Sequence, residues 1–200
     1  MENEINRWWK KLWETRGCRF NAAKRMEMNE KWSTITISFV SVYIIAINLV
    51  VYLKNRPAIL TEELITMSTI SLSILVIVIS IILSTRDYKI KAHKYNNCGM
   101  DLSRLYDKVC LWKTDIASVQ KTDIISLISD YNTILETYDL NHDRIDYMVF
   151  KSQNLSAYKL KYPLGFRFYV WMISTFSLLK YLVFIFLPLI ILIIYFLISK

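Results

Sequence analysis

Three long stretches of this chain carry no charged side chain, and they constrain its fold more than any other feature of the 200 residues. Residues 33–53 and 64–84 are each uncharged over 21 positions, and residues 181–198 over 18. A helix rises about 1.5 Å per residue, so about 20 residues cover a hydrocarbon core of roughly 30 Å. The first two runs therefore read as a transmembrane hairpin. Their connector, Lys54 to Glu63, is ten residues long and contains Pro57. Thr61-Glu62-Glu63 reads as a helix start, with a capping hydroxyl and two acids set against the helix dipole.

The third run leaves two geometries open. Phe166 to Lys180 mixes Tyr169, Trp171 and hydroxyl residues with apolar ones, and Pro188 lies inside the uncharged part. Either residues 169–198 form one long tilted span with Lys180 buried or snorkelling, or 166–180 lie in the interface and 181–198 cross. A lysine at mid-bilayer costs about 2.5–3.5 kcal/mol on insertion scales, which favours the second. A third reading is a helix buried in a cytosolic domain.

Composition narrows the classes. The chain is 54% hydrophobic, with 13 Tyr, 9 Phe and 6 Trp, which excludes a disordered chain. Gly and Pro total six, too few turn formers for a β-rich fold. Cys18, Cys98 and Cys110 are odd in number and widely spaced, so they read as buried or reduced thiols rather than a disulfide framework. The acidic start Met1-Glu2-Asn3-Glu4, with no apolar segment directly behind it, predicts no cleavable signal peptide.

The net charge of +8 is distributed unevenly. Residues 1–32 hold eight Lys/Arg, the connector two, and residues 85–168 thirteen. Both large polar segments are therefore expected on the cytoplasmic side of the membrane, with Lys200 outside if the third run spans. Bilayer headgroups, rather than nucleic acid, are the expected partner of these cations, and no direct nucleic-acid binding is expected.

The polar segments are helical in pattern. Ile5, Trp8, Trp9, Leu12, Trp13 and Phe20 recur at helical spacing, with Arg7, Lys10, Lys11 and Arg16 largely opposite. Such a helix either lies on the membrane surface or packs on the cytosolic domain. Residues 86–114 place Tyr88, Ala92, Tyr95, Leu102, Leu105, Tyr106 and Val109 on one face, which predicts that the second span runs on as one rod. Residues 115–138 repeat the pattern, Asn141-His142-Asp143 reads as a turn and cap, and 145–156 as a shorter helix. About 80 such residues make a marginal core alone, so the apolar faces could equally be seams between copies.

The residues that chemistry would need are missing. His93 and His142 are 49 positions apart, no His/Cys/carboxylate set has metal-ligand spacing, and three glycines build no phosphate loop. Asp139, Asp143 and Asp146 read as helix caps. A non-enzyme without cofactors is expected. The spans do carry hydroxyl stripes. Thr34, Ser38, Ser41 and Asn48 share a flank of the first, and Glu62, Thr66, Thr69, Ser73, Ser80 and Ser84 a flank of the second. Small polar residues let membrane helices pack closely. In an oligomer the same residues, chiefly Thr66, Thr69, Ser73, Ser80, Thr34, Ser41 and Asn48, could line a water-filled path.

Two later segments carry a resemblance. Tyr88-Lys89-Ile90-Lys91-Ala92-His93-Lys94-Tyr95-Asn96-Asn97-Cys98-Gly99-Met100-Asp101-Leu102-Ser103-Arg104-Leu105-Tyr106, directly after a hairpin, resembles the juxtamembrane signature of SLATT domains. Leu140-Asn141-His142-Asp143-Arg144-Ile145-Asp146-Tyr147-Met148-Val149-Phe150-Lys151 resembles the matching stretch of the SLATT_5 subgroup, and Lys24-Arg25 fits before the first span. The resemblance covers residues 20–198. It implies a bacterial membrane effector of conflict systems, switched by a nucleotide signal or a nucleic-acid-sensing partner, with reverse-transcriptase neighbours. Activation would then form pores that arrest an infected cell. The positions carried over are Ala92, Tyr95, Cys98, Gly99, Leu102, Ile145, Asp146, Tyr147 and Phe150. Among them Tyr95, Cys98 and Gly99 are candidates for coupling, with Gly99 allowing a close helix crossing or a kink.

The expected fold is an all-α membrane protein, a transmembrane helical hairpin continuing into a cytosolic helical packet, plus a C-terminal hydrophobic helix. Its parts are 1–32, an N-terminal amphipathic helix; 33–84, the hairpin; 85–165, the cytosolic domain; and 166–200, an interfacial or transmembrane helix. The expected function is an oligomeric, pore-forming or membrane-disrupting effector of a bacterial antiviral abortive-infection system, switched through its cytosolic helices, with a non-catalytic membrane anchor or scaffold that recruits a cytosolic sensor or enzyme as the alternative.

Overall fold

The computed structural model describes residues 1–50, 61–160 and 162–198; side chains of residues 50, 191, 192 and 194–198 are not considered. Residues 54–60 of the predicted connector, with Pro57, the end of the first run and Lys200 lie outside the described residues. Every regular element among the described residues is helical: α1 (Glu2–Val50), α2 (Glu62–Ser84), α3 (Tyr88–Thr114), α4 (Lys121–Tyr138), α5 (Arg144–Gln153) and α6 (Pro163–Ile198). Short 3-10 turns at Ile116–Ser118 and Leu155–Ala157 precede and follow α4 and α5 respectively. The all-α expectation holds. Three helices, Glu2–Leu49, the stretch Glu62–Thr114 and Pro163–Ile190, contain windows apolar enough to cross a membrane.

The chain divides into two compact units. The first joins Met1–Met28 to Lys89–Ser174, and the second joins Asn29–Tyr88 to Thr175–Lys200. The first unit is a packet built on α1. Ile5, Trp8 and Leu12 are buried with Cys98, Leu102, Val109, Val119, Leu127 and Tyr131 in one core. Of the two readings left open for the N-terminal helix, packing onto the helical domain is the one realised. The apolar stripe that could have met lipid meets α3 and α4 instead. Burying each of these large side chains is worth about 1.5–3 kcal/mol.

Caps fix where the packet's helices begin and end. The Asp143 amide donates to Asp146 Oδ2 at 2.9 Å, starting α5 where a turn and cap were expected. The Gln120 amide donates to Asp123 Oδ2 at 2.8 Å and starts α4 in the same way. Asp139 departs from the expectation, since it ends α4 in a left-handed conformation with φ 43° rather than opening a helix. A short polar side chain tolerates that conformation.

The continuous rod predicted from α2 into the following segment is not formed. Helix α2 stops at Ser84, and α3 begins at Tyr88. The Arg86 amide turns back to the Leu83 carbonyl at 3.1 Å, tightening the last turn. Asp87 then adopts φ 49°. Aspartate interrupts the helix here although neither Gly nor Pro marks the spot.

In the second unit, hydroxyl side chains are turned inward. Ser33, Thr36 and Thr69 are buried, along with Val40, Ile65, Tyr181 and Ile185. The Tyr181 hydroxyl donates to Asn29 Oδ1 at 3.3 Å. Met67, Ile70, Ile74, Ile77 and Ile81 of α2 are exposed, as a lipid-facing surface requires. Helix α6 runs unbroken through both Lys180 and Pro188. No helix boundary therefore separates an interfacial from a spanning half. Its exposed Phe168, Trp171 and Phe176 also exclude a helix buried in a domain core.

Candidate functional site

Two groups of residues were singled out by sequence, and they lie in different units. The coupling candidates sit in the first. Tyr95 is buried, and its hydroxyl donates to the Asn141 carbonyl at 2.6 Å, tying α3 to the turn before α5. Cys98 is fully buried, and burial raises its thiol above the ordinary range. Cys18 is pushed up to about 12 by burial and the nearby Asp146 and Glu14. Neither thiol is poised for nucleophilic work. At Gly99 an added Cβ would come within 2.8 Å of the Phe20 ring, so glycine serves a close crossing of α1 and α3. The helix break lies twelve residues earlier, at Asp87.

Of the remaining resemblance positions, Leu102, Asp146 and Phe150 pack against α1. Asp146 is buried, and Arg25 Nε and Nη2 donate to its two carboxylate oxygens at 2.8 and 3.0 Å. Arg25 Nη2 also lies 2.7 Å from Asp143 Oδ2. Phe150 packs edge-on against Trp13 at 4.8 Å and covers Gly17, where an added Cβ would collide with its ring. The Tyr158 hydroxyl donates to Glu14 Oε1 at 2.6 Å. The sequence pointed to Arg25 only as a flank of the first span. Trp13 was marked only as part of the apolar stripe, and Gly17 and Glu14 carried no mark at all, because their importance comes from partners more than 100 positions away.

Behind this clamp lies an unusual pair. Arg19 is buried with its guanidinium 5.9 Å from the centre of the Tyr95 ring, and its Nε and Nη1 have no hydrogen-bond partner among the described residues. His142 Nδ1 is buried and likewise has no partner among the described residues. Burial, and then the Arg19 charge, hold the His142 imidazole below its ordinary value.

The hydroxyl candidates belong to the second unit. On α2, Thr69 is buried, Ser73 and Ser80 are half-buried, and Thr66 is exposed. They run along the edge of the packed face rather than on the lipid-facing side. Thr66 donates to the Glu62 carbonyl at 2.8 Å, Thr69 to Thr66 at 2.9 Å and Ser73 to Thr69 at 2.7 Å. On α1, Thr34 and Asn48 are exposed and Ser41 half-buried, and Asn48 donates to Ile44 at 2.9 Å. Hydroxyls bonded in this way have met their donor requirement inside their own helix while keeping acceptor lone pairs. No group of three or more His, Cys, Asp or Glu side chains among the described residues is placed to hold a metal.

Fold and site together define a helical membrane protein whose polar part is a capped, ion-paired packet. The sequence model of the SMODS and SLOG-associating 2TM effector domain family 5, SLATT_5, matches residues 1–194, and the chain belongs to that family. No curated protein and no solved structure matches it.

Proposed function

We propose that this chain is a non-enzymatic, oligomeric membrane effector that opens a water-filled path in a bacterial cell membrane and thereby arrests a virus-infected cell. The observation that carries this reading is the flank of α2. Thr66 and Ser73 donate into their own backbone and retain oxygens that can accept from water, on a helix free of charge from Leu64 to Ser84. Such a flank is stable against protein and tolerates water when neighbouring copies separate. Exposed Leu164, Phe168, Trp171 and Phe176 on α6 supply apolar surface of the kind that marks an association site. The polar packet, with its N-terminus in the cytoplasm, receives the trigger, either a nucleotide signal or a sensing partner protein, and Tyr95, Cys98 and Gly99 lie where α1, α3 and the α5 turn would shift against one another.

A second reading, a scaffold that recruits a cytosolic partner, is supported by the burial of Thr69, which suits close helix packing. Membrane potential separates the two. Induced expression should collapse the potential before growth stops, and replacing Thr66, Ser73 and Ser80 together by Leu should abolish the collapse. Growth arrest at full potential, unaffected by those changes, would favour the scaffold.

A further inference from the structure

In the second unit, residues of α1, α2 and α6, with Arg86 and Tyr88 just beyond α2, line a half-open cavity of about 170 Å³. A single water needs only about 10–15 Å³ of such space. Its lining is mainly apolar and includes two cationic side chains. Ile79, Ile82, Leu83 and Phe184 make an apolar wall, while Arg86 and Lys180 bring two cations to the same space. Neither cation lies within ion-pair distance of a carboxylate among the described residues. The Lys180 ammonium rests 4.9 Å from the centre of the Tyr181 ring.

The cavity also lies at a definite depth. It gathers Ser33, where the uncharged run of α1 begins, Arg86, just after the run of α2 ends, and Tyr181, where the run of α6 begins. Arg86 is followed by Lys89, Lys91 and Lys94, so this level cannot sit in hydrocarbon and must be the headgroup zone. Lys180, the one charge within residues 169–198, shares that level.

We propose that this cavity binds an anionic phospholipid, its phosphodiester between Arg86 and Lys180 and the start of an acyl chain along Ile82, Leu83 and Phe184. Two unpaired cations beside an apolar wall match an amphiphile. Inorganic phosphate would satisfy the cations and leave the wall wet. Basic pockets between membrane helices near the cytoplasmic surface suit such headgroups.

The test uses the full chain in nanodiscs of equal phosphatidylglycerol and phosphatidylcholine, with retained lipids counted by native mass spectrometry. Phosphatidylglycerol should be enriched about tenfold over phosphatidylcholine. R86Q/K180Q should reduce that ratio towards one, whereas K89Q/K91Q, which neutralises two exposed cations outside the cavity, should leave it unchanged. R86K/K180R should retain the enrichment and R86Q alone should reduce it, so the comparison survives if the double neutral variant does not fold. Equal retention of the two lipids in the wild type would overturn the proposal. So would enrichment that persists in R86Q/K180Q, or complete displacement by excess inorganic phosphate.

Discussion

Asp146 is held at 2% side-chain exposure by a guanidinium that comes from 121 positions earlier in the chain. A carboxylate so enclosed is tolerable only while Arg25 faces it. Arg25→Ala should therefore destabilise the packet by about 3–5 kcal/mol, and Arg25→Lys by less, as read by denaturant unfolding of the full chain in micelles. His142 adds a pH dependence of known sign. Its folded-state value lies below the ordinary 6.5, so the unfolded chain binds a proton that the folded chain refuses. Stability is then full above about pH 6.5 and declines as pH falls below it, and His142→Gln should flatten that decline in the same unfolding assay. The sequence exposed part of this site. Asp143 and Asp146 were legible as caps because capping is local. The Arg25 clamp was not, since it depends on which face of α1 meets α5, and neither Gly17 nor Trp13 announces a partner by spacing alone.

Among the elements, the helix boundaries teach most. The apolar period of residues 88–109 continues the register of α2 closely enough that a single rod was the natural expectation. The break at Thr85–Asp87 rests on a local turn and one left-handed residue. Asp87→Gly should leave stability nearly unchanged, whereas Asp87→Val should cost about 1–2 kcal/mol, because a branched Cβ resists positive φ. A Val variant as stable as wild type would mean that the chain can straighten there. Helices α1 and α6 are the converse case. Polarity changes along both, at residue 33 and at Lys180, where a split was one of two open geometries for the third run, and each runs through as one helix. Amphipathicity had changed at those points, but no residue there interrupts the backbone hydrogen-bond ladder. A mid-helix Pro188 is compatible with continuity in a membrane helix, where neighbouring groups re-satisfy the freed carbonyl.

For the molecule as a whole, the uncharged runs made the membrane character and the all-helical class legible at once. The composition of the two units was not, because each is assembled from segments far apart in sequence, with α1, α3 and α6 contributing to both. The functional claim rests on the flank of α2 becoming wet when copies act together. Cysteine scanning with a membrane-impermeant, charged thiol reagent tests it most directly. Cys110→Ser removes the one native thiol that is not buried, leaving Cys18 and Cys98 enclosed. In cells whose growth the protein has arrested, Ser73→Cys and Ser80→Cys should then be labelled, while Ile77→Cys and Ile81→Cys on the lipid-facing side should not. Arrest with neither serine position labelled, or with all four labelled alike, would contradict a path along α2.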